Sequence, residues 1–597
     1  MKTFHILLTL IFALCLAGCR DSSSSQGQIE SGSATSRYTE VPRDASGYSN
    51  TIPASPAAAE TREGKTYSIY VEGPQTGDVI AFTVFEPSVF TGGEKYPLLL
   101  YGHGGGDSRA TDRNNPALVY SPFNDNIKLF LDNGYGVVSM DQRGHGESGG
   151  TIRVMDPDYE GLNLIAILNW VEANLDWLAY GPSVDGSDPN NLLLGAIGAS
   201  YGGGFQLLLN NIDPQRRLDA IVPESTWYDM RNSIMPNGVA KSTWGSFLLL
   251  SLTRAGSEFD RNHADPYVTD LFVDMMSGRP LTEDQDDFLY YHGNSYFCGD
   301  RVIASNAGLP PLFARESPPP VHALFFQGMR DTLFTFNEAF NNYQCMRDAG
   351  GEVYLMSHQS GHNATPVVLD AGLRPVPFNP EQPGPPLNSY NSDCGERDLH
   401  DTSLAFFDRH FKGVGKEQPF LPKPVCVSLD QGDAIWLDTV VHGEAGQPIE
   451  IISTPVLAGV GGAPVVAEPS LVIDSADQVL AGIPELDVTL QAALPADTGV
   501  PIIFAGIGIM RANNPGIWQL ADNQITPLRG TGEHRISMNG IGERLQAGDR
   551  VALLLYGSHD QYPYTGSVNG HEPTVMPVTV VGRLWLPVVR DTKTSAP

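Results

Sequence analysis

The segment Gly198-Ala-Ser-Tyr-Gly202 lies between an apolar run, Asn191 to Ile197, and a stretch that resumes as Gly203-Gly-Phe-Gln-Leu-Leu-Leu209. A short apolar run, a tight turn and a helical stretch read as strand, turn and helix. A G-x-S-x-G sequence on that turn constrains the backbone severely. The positions two before and two after the serine must lack bulk, which Gly198 and Gly202 supply. Such a turn holds the serine hydroxyl out at the carboxyl end of a sheet, beside a helix N-terminus whose N–H groups can receive an oxyanion. The pattern also arises by chance in Gly-rich chains, and this one has 63 glycines in 597 residues. Its weight therefore rests on what accompanies it.

The surrounding rhythm supports a sheet. Alternating segments at Tyr67–Val71 and Val79–Val84 read as an antiparallel entry. From Tyr96 onward, short apolar strands alternate with helical stretches, the mark of a mostly parallel α/β sheet. The strands fall at Leu98–Tyr101, Gly136–Met140, Asn191–Ile197, Ala220–Pro223, His322–Phe326 and Val353–Met356. Helices are predicted at Pro122–Asn133, Glu160–Asn174, Tyr201–Asn211, Phe334–Ala349 and Asp401–Phe411. Residues 229–319 break this rhythm, being far longer than an ordinary connection between sheet elements. Helix-like stretches (Ser242–Thr253, Tyr267–Met276, Glu283–Tyr291) and many aromatics mark that interval as a helical cap. Beyond Gly413 the chain turns to short alternating strands punctuated by Gly, Pro and Asp, an all-β domain of sandwich or jelly-roll type. The expected division is thus 61–420 for the sheet domain with its cap and 421–590 for the β domain.

The amino terminus is not part of this fold. A basic start, an apolar core from Phe4 to Leu16 and the closing Leu16-Ala-Gly-Cys19 form a secretory signal too short to span a membrane. Cysteine directly after Ala-Gly resembles the lipobox of bacterial lipoproteins, in which Cys19 would be acylated. Residues 20–60 are rich in Ser, Gly, Ala and Pro and read as a tether. The expected location is the bacterial cell envelope, with contact to the membrane through the lipid only. Four cysteines remain (Cys298, Cys345, Cys394 and Cys426), with three possible pairings in an oxidising compartment. The net charge of −31 argues against nucleic acid and fits a solvated acidic surface.

Nucleophilic catalysis by serine needs a base, a group that orients the base, and donors for an oxyanion. On this type of sheet the chain order is serine, acid, histidine. Downstream of Ser200, the strand at His322–Phe326 runs into Gln327-Gly-Met-Arg-Asp331, which puts Asp331 just past a strand's carboxyl end. The next strand leads to Ser357-His-Gln-Ser-Gly-His362, and His362 is the expected base. His358 is its competitor, but it follows the strand too soon to swing back over the serine. Oxyanion donors are expected from the N–H of Tyr201 and from Gly104 and Gly105 in Gly102-His-Gly-Gly-Gly106. Asp141 and His145 read as structural. Asp284-Gln-Asp-Asp287 lacks a calcium-loop pattern and reads as a solvated helix face. No metal or cofactor signature appears, and none is expected.

Asp141-Gln-Arg-Gly-His-Gly-Glu-Ser148, Gly198-Ala-Ser-Tyr-Gly-Gly203, Val222-Pro-Glu-Ser-Thr-Trp-Tyr-Asp229, Gly328-Met-Arg-Asp331 and Gly361-His-Asn363 together resemble the X-Pro dipeptidyl-peptidase and cocaine-esterase family. The resemblance runs from about Lys65 to the end. It implies an α/β-hydrolase fold with a helical cap and a C-terminal β jelly roll. It also implies acyl transfer to water on a small ester or short peptide, with Ser200, Asp331 and His362 as triad and the Tyr201 N–H in the oxyanion hole. One departure weakens the ester branch. A tyrosine that supplies the second oxyanion donor there has no counterpart after Tyr101, where the sequence offers Gly104 and Gly105 instead. Trp227, Trp244 and Glu224 are candidate pocket residues. A competing reading makes the chain a surface carbohydrate- or polymer-binding lipoprotein with a degenerate hydrolase domain; it fares poorly because all three triad positions are filled.

Overall fold

The computed structural model describes residues 52–114, 126–253, 263–362, 368–369, 375–376, 394, 399–492, 500–563 and 575–591. The expected signal, Cys19, the tether up to residue 51, and Asn363 lie outside them. Ten strands build one large sheet. In chain order they are β1 (Thr66–Glu72), β2 (Val79–Phe85), β3 (Leu98–Gly102), β4 (Gly136–Met140), β5 (Leu194–Ala199), β6 (Leu218–Glu224), β7 (His322–Gly328), β8 (Val353–His358), β9 (Val425–Ser428) and β10 (Ala434–Leu437). Across the sheet the order is β10-β9-β8-β7-β6-β5-β3-β4-β2-β1. The block from β9 to β4 is parallel, and antiparallel strands close both edges.

Both faces of this sheet are covered, which is why its strands read as unbroken apolar runs. Leu98, Leu100, Leu194 and Ile221 face one apolar layer. Leu99, Tyr101, Ile197 and Val222 face the other. The first layer is completed by α2 (Leu162–Asn174), α3 (Tyr201–Ile212) and α9 (Phe336–Ala349); the second by α1 (Asn126–Asp132) and α10 (Leu399–Lys412). Helix α2 starts two residues later than the sequence predicts, because Pro157–Gly161 forms a wider turn capped by the Asp156 side chain.

Between β6 and β7 the described part of the inserted segment is helical. It contains α4 (Met230–Ile234), α5 (Ser242–Thr253), α6 (Pro266–Met276), α7 (Glu283–Tyr291) and α8 (Asn294–Cys298). Thr282 and Gln285 form a reciprocal capping box that starts α7. The acidic run on α7 is not a freely solvated face: Asp286 and Asp287 pair with Arg301, and Asp284 accepts from Tyr267 at 2.5 Å. Two disulfides settle the pairing left open by the sequence. Cys298–Cys345 joins α8 to α9, and Cys394–Cys426 ties residue 394 to β9.

The remainder is mostly β. It comprises β11 (Gln447–Ala458), β12 (Gln478–Ile483), β13 (Glu485–Ala492), β14 (Ile502–Met510), β15 (Thr526–Arg529), β16 (Gly532–Ser537), β17 (Ile541–Arg544), β18 (Arg550–Tyr556) and β19 (Met576–Leu586). One sheet runs β11-β19-β13-β16, β14 pairs with β18 and β15 in a second, and β12 pairs with β17 in a third. The boundary expected at 420/421 needs correction. β9 and β10 lie beyond it yet extend the large sheet, so the β region proper starts after Leu437. Their short alternation matches the strands that follow, and only the pairing with β8 separates them.

Candidate active site

β3 and β5 are neighbours, but the chain leaves them in opposite directions across the sheet, and a crevice opens where the order reverses. Ser200 follows β5 at that point. Its backbone is held at φ 57° and ψ −118°, a left-handed position for a non-glycine residue. Such strain costs on the order of 1–3 kcal/mol and persists only where the surroundings over-determine it. They do so here. The Ser200 N–H donates to Glu224 O at 2.9 Å, and its carbonyl accepts from the Gly203 and Gly204 N–H groups and from Thr226 Oγ1. A Cβ at Gly202 would lie 2.1 Å from Gly102 O, and one at Gly198 would lie 2.4 Å from the same atom. The two glycines are required by this close approach of the elbow to β3.

Gln206, fully buried on α3, staples the elbow further. Its amide donates to Gly202 O at 2.8 Å and to Gly198 O at 3.1 Å, and its carbonyl accepts from Val222 N–H at 3.0 Å. None of the motifs singles out this residue. Its signal is a lone polar side chain within Phe205-Gln-Leu-Leu-Leu209.

Past β7, Asp331 is fully buried in a turn whose own N–H groups orient it: Leu333 N and Phe334 N donate to Oδ1 at 2.8 and 2.9 Å. The other oxygen, Oδ2, lies 2.7 Å from His362 Nδ1, and His362 Nε2 lies 3.0 Å from Ser200 Oγ. Serine, histidine and aspartate thus form one hydrogen-bonded relay. His358 stands elsewhere: its Nε2 is 3.1 Å from Glu224 Oε1, and both side chains are about 1% exposed.

Tyr201 heads α3, so its N–H belongs to the first turn, where helical N–H groups have no partner within the helix. Its side chain turns inward, accepting from Met155 N–H at 3.1 Å and approaching Glu160 at 3.4 Å. Burial, then the Asp156 carboxylate, push the Glu160 carboxyl up to about 7. Gly105 faces Tyr201, with a Cβ there lying 3.9 Å from Tyr201 Cβ. Two imidazoles hold this glycine loop. His103 Nδ1 donates to Gly104 O at 2.8 Å while Nε2 accepts from Gln142 N–H. His145 Nε2 accepts from Gly106 N–H at 3.1 Å and Nδ1 donates to Arg143 O. Burial pulls the His145 pKa well down, which keeps that ring neutral. Gly106 N–H is therefore engaged. Asp141 accepts from Arg109 N–H and Glu147 N–H and anchors the neighbouring turn.

Helix α5 runs across this site. Trp244 packs edge-on against His362 at 5.6 Å, and Ser251 abuts Gly106. Trp244, Phe247 and Ser251, spaced i, i+3 and i+7, share one face of this helix. The structure corrects the three candidate pocket residues. Trp244 is 3% exposed and donates to Thr332 Oγ1 at 2.9 Å, so it buttresses the histidine and the acid turn. Trp227 is equally buried, packed on Gly204 and Phe334 with its indole N–H on His292 O. Glu224 lies beneath the serine, committed to His358. A sequence in which these residues follow a strand's end cannot tell a cleft wall from the layer behind it.

Residues 76–364 match the family model for the X-Pro dipeptidyl-peptidases, the S15 family. This match places that segment of the chain in the family. Among curated proteins, none matches. Of solved structures, a CocE/NonD family hydrolase from Staphylococcus aureus is similar over 89% of this chain and 94% of its own, with a TM-score of 0.55 at 14% identity. An aminopeptidase from a marine sediment archaeon, Thaumarchaeota archaeon, is similar over 93% and 100%, with a TM-score of 0.58 at 12% identity. Both likenesses concern the fold and run through the β region as well as the S15-family segment. The chain is a hydrolase whose fold is similar to these structures over about nine-tenths of its length.

Proposed function

We propose that this S15-family hydrolase cleaves small esters or amides through an acyl-enzyme on Ser200. The observation that carries this is the relay of 3.0 and 2.7 Å from Ser200 through His362 to Asp331, built on a strained serine at a helix head. In this reading Ser200 Oγ attacks the carbonyl carbon and His362 Nε2 takes the proton. Asp331 keeps the remaining ring proton on Nδ1 and stabilises the imidazolium. The tetrahedral oxyanion forms against the Tyr201 N–H and a donor at Gly104 or Gly105, placed before the charge develops. His362 then protonates the leaving alcohol or amine, and water repeats the sequence on the acyl-enzyme. The substrate classes are X-Pro peptides and short acyl esters.

Ser200→Ala should abolish both labelling by a fluorophosphonate probe and turnover of a matched panel of X-Pro anilides and short acyl esters. Undiminished turnover in that variant rejects the mechanism, and the ratio of kcat/KM across the panel assigns the branch. The Leu16-Ala-Gly-Cys19 signal supports a place for this activity at the bacterial cell envelope. Cys19→Ser should move the protein out of the membrane fraction; continued sedimentation with membranes argues against the anchor.

A further inference from the structure

The turn that carries Asp331 is held from outside on two sides. From the inserted helices, the buried Lys241 donates to Leu333 O at 2.8 Å and Trp244 donates to Thr332 Oγ1. From the β region comes the amide of Gln524. Gln524 Nε2 donates to Met329 O at 2.7 Å and to Asp331 O at 3.0 Å, so both its hydrogens end on the acid turn. Gln524 is 3% exposed. Its orientation is set from behind by Asn539 Nδ2, which donates to Gln524 Oε1 at 3.1 Å and to Ile525 O at 3.0 Å. The segment that presents it is strained: Asp522 and Asn523 have φ of 46° and 58°. Asp522 is pinned in that shape by Gly542 N–H at 2.7 Å and faces Arg330 on the acid turn at 3.7 Å. A strained turn with this much support, aimed at the residue that orients the base, is more than packing between two regions.

We propose that Gln524 is a positioning residue for the hydrolytic reaction, supplied by the β region to fix the Asp331 turn at the reach His362 requires. The Asp331 carboxylate cannot move independently of its turn, because Leu333 and Phe334 N–H tie Oδ1 to it. Two carbonyls of that turn converge on one nitrogen, which sets the tilt of the turn relative to β7. Without these donors the two buried carbonyls lose their partners and the turn shifts to recover them. Asp331 acts through His362 and does not touch substrate, so the loss falls on kcat and leaves KM close to that of the parent. This inference rests on the Ser200–His362–Asp331 reading above.

The test uses the full chain with p-nitrophenyl butyrate and Gly-Pro p-nitroanilide, rates being taken per active site titrated with fluorophosphonate. Gln524→Met keeps the length and bulk of the side chain and removes both donors. It should lower kcat about 10-fold, towards the roughly 100-fold that misplacement by an ångström can cost, with KM changed by less than about twofold. Gln524→Glu adds a signature that packing alone does not give. A protonated carboxyl can still donate to one carbonyl, whereas the ionised one opposes two acceptors. Its kcat relative to the parent should therefore fall as pH rises from about 5 to about 8. If Gln524→Met does not fold, Asn539→Ser is read the same way, since it leaves Gln524 in place and frees its amide. A kcat loss of about threefold or more at unchanged KM supports the proposal. Parental kcat in Gln524→Met, or in Asn539→Ser where the Met variant does not fold, overturns it, as does a Gln524→Glu ratio flat with pH. Ser200→Ala is run alongside. Turnover that survives in it removes the triad reading, whereas turnover lost there but untouched in the Gln524 variants removes only the role of Gln524.

Discussion

Asp219 shows how a single buried carboxyl ties stability to pH. It sits at a register irregularity in β6, between Leu218 and Ala220, 5% exposed. One oxygen accepts from Asn191 Nδ2 at 3.1 Å; the other has no hydrogen-bond partner among the described residues. Burial, only partly offset by Asn191 and by the Leu194 N–H, pushes its pKa up to about 7. The unfolded chain releases this proton near pH 4, so between about 4 and 7 the native state binds the extra proton. Stability associated with Asp219 is therefore present at acid pH and lost as pH rises through about 7. Asn at this position does not titrate. Asp219→Asn should gain on the parent, by something on the order of 2–4 kcal/mol, as pH rises from about 5 to about 8. Urea unfolding at both ends of that range measures it, and a difference between the two proteins that does not change with pH sinks the idea.

At the scale of elements, what the sequence made legible followed periodicity. The parallel strands Gly136–Met140 and His322–Gly328 and the helices Ser242–Thr253 and Glu283–Tyr291 announce themselves by apolar runs or caps. Asp331 and His362 could be placed because each follows the carboxyl end of a strand, where this sheet type opens its crevice. Less legible was anything depending on which side of an element a residue faces. Glu224 ends a strand just as Asp331 nearly does, yet its carboxylate turns beneath the serine towards His358. Trp227 and Trp244 both look like pocket aromatics, but both are buried, committed to neighbouring side chains and backbone. Least legible were contacts across long separations. Gln524 lies 193 residues from Asp331, in a turn whose strained residues are neither glycine nor proline, and no local pattern marks it.

For the molecule as a whole, the β region is not an appendage that can be detached along a clean plane. Val479, Ala481 and Ile483 of β12 belong to the same apolar core as Leu98 and Leu355 of the large sheet. Gln524 holds the acid turn, and Asn337 at the start of α9 donates to Met538 O while its carbonyl accepts from Gly540 N–H. The inserted helices reach the same region through Asn237 on Pro527 O and Thr243 on Asp560 O. Folding of the β region is thus coupled to the geometry of a relay in another part of the chain. Leu553 on β18 tests this coupling, because it is 2% exposed in the β core and takes no part in the site. Leu553→Ala should cost about 2–5 kcal/mol. The prediction is that its loss appears everywhere at once. Calorimetry should show one unfolding transition moved to lower temperature, and the temperature at which fluorophosphonate labelling of Ser200 is lost should move by the same amount. A β transition that moves alone, with labelling still lost at the parental temperature, would show that the two parts unfold independently and that the acid turn stands without its β support.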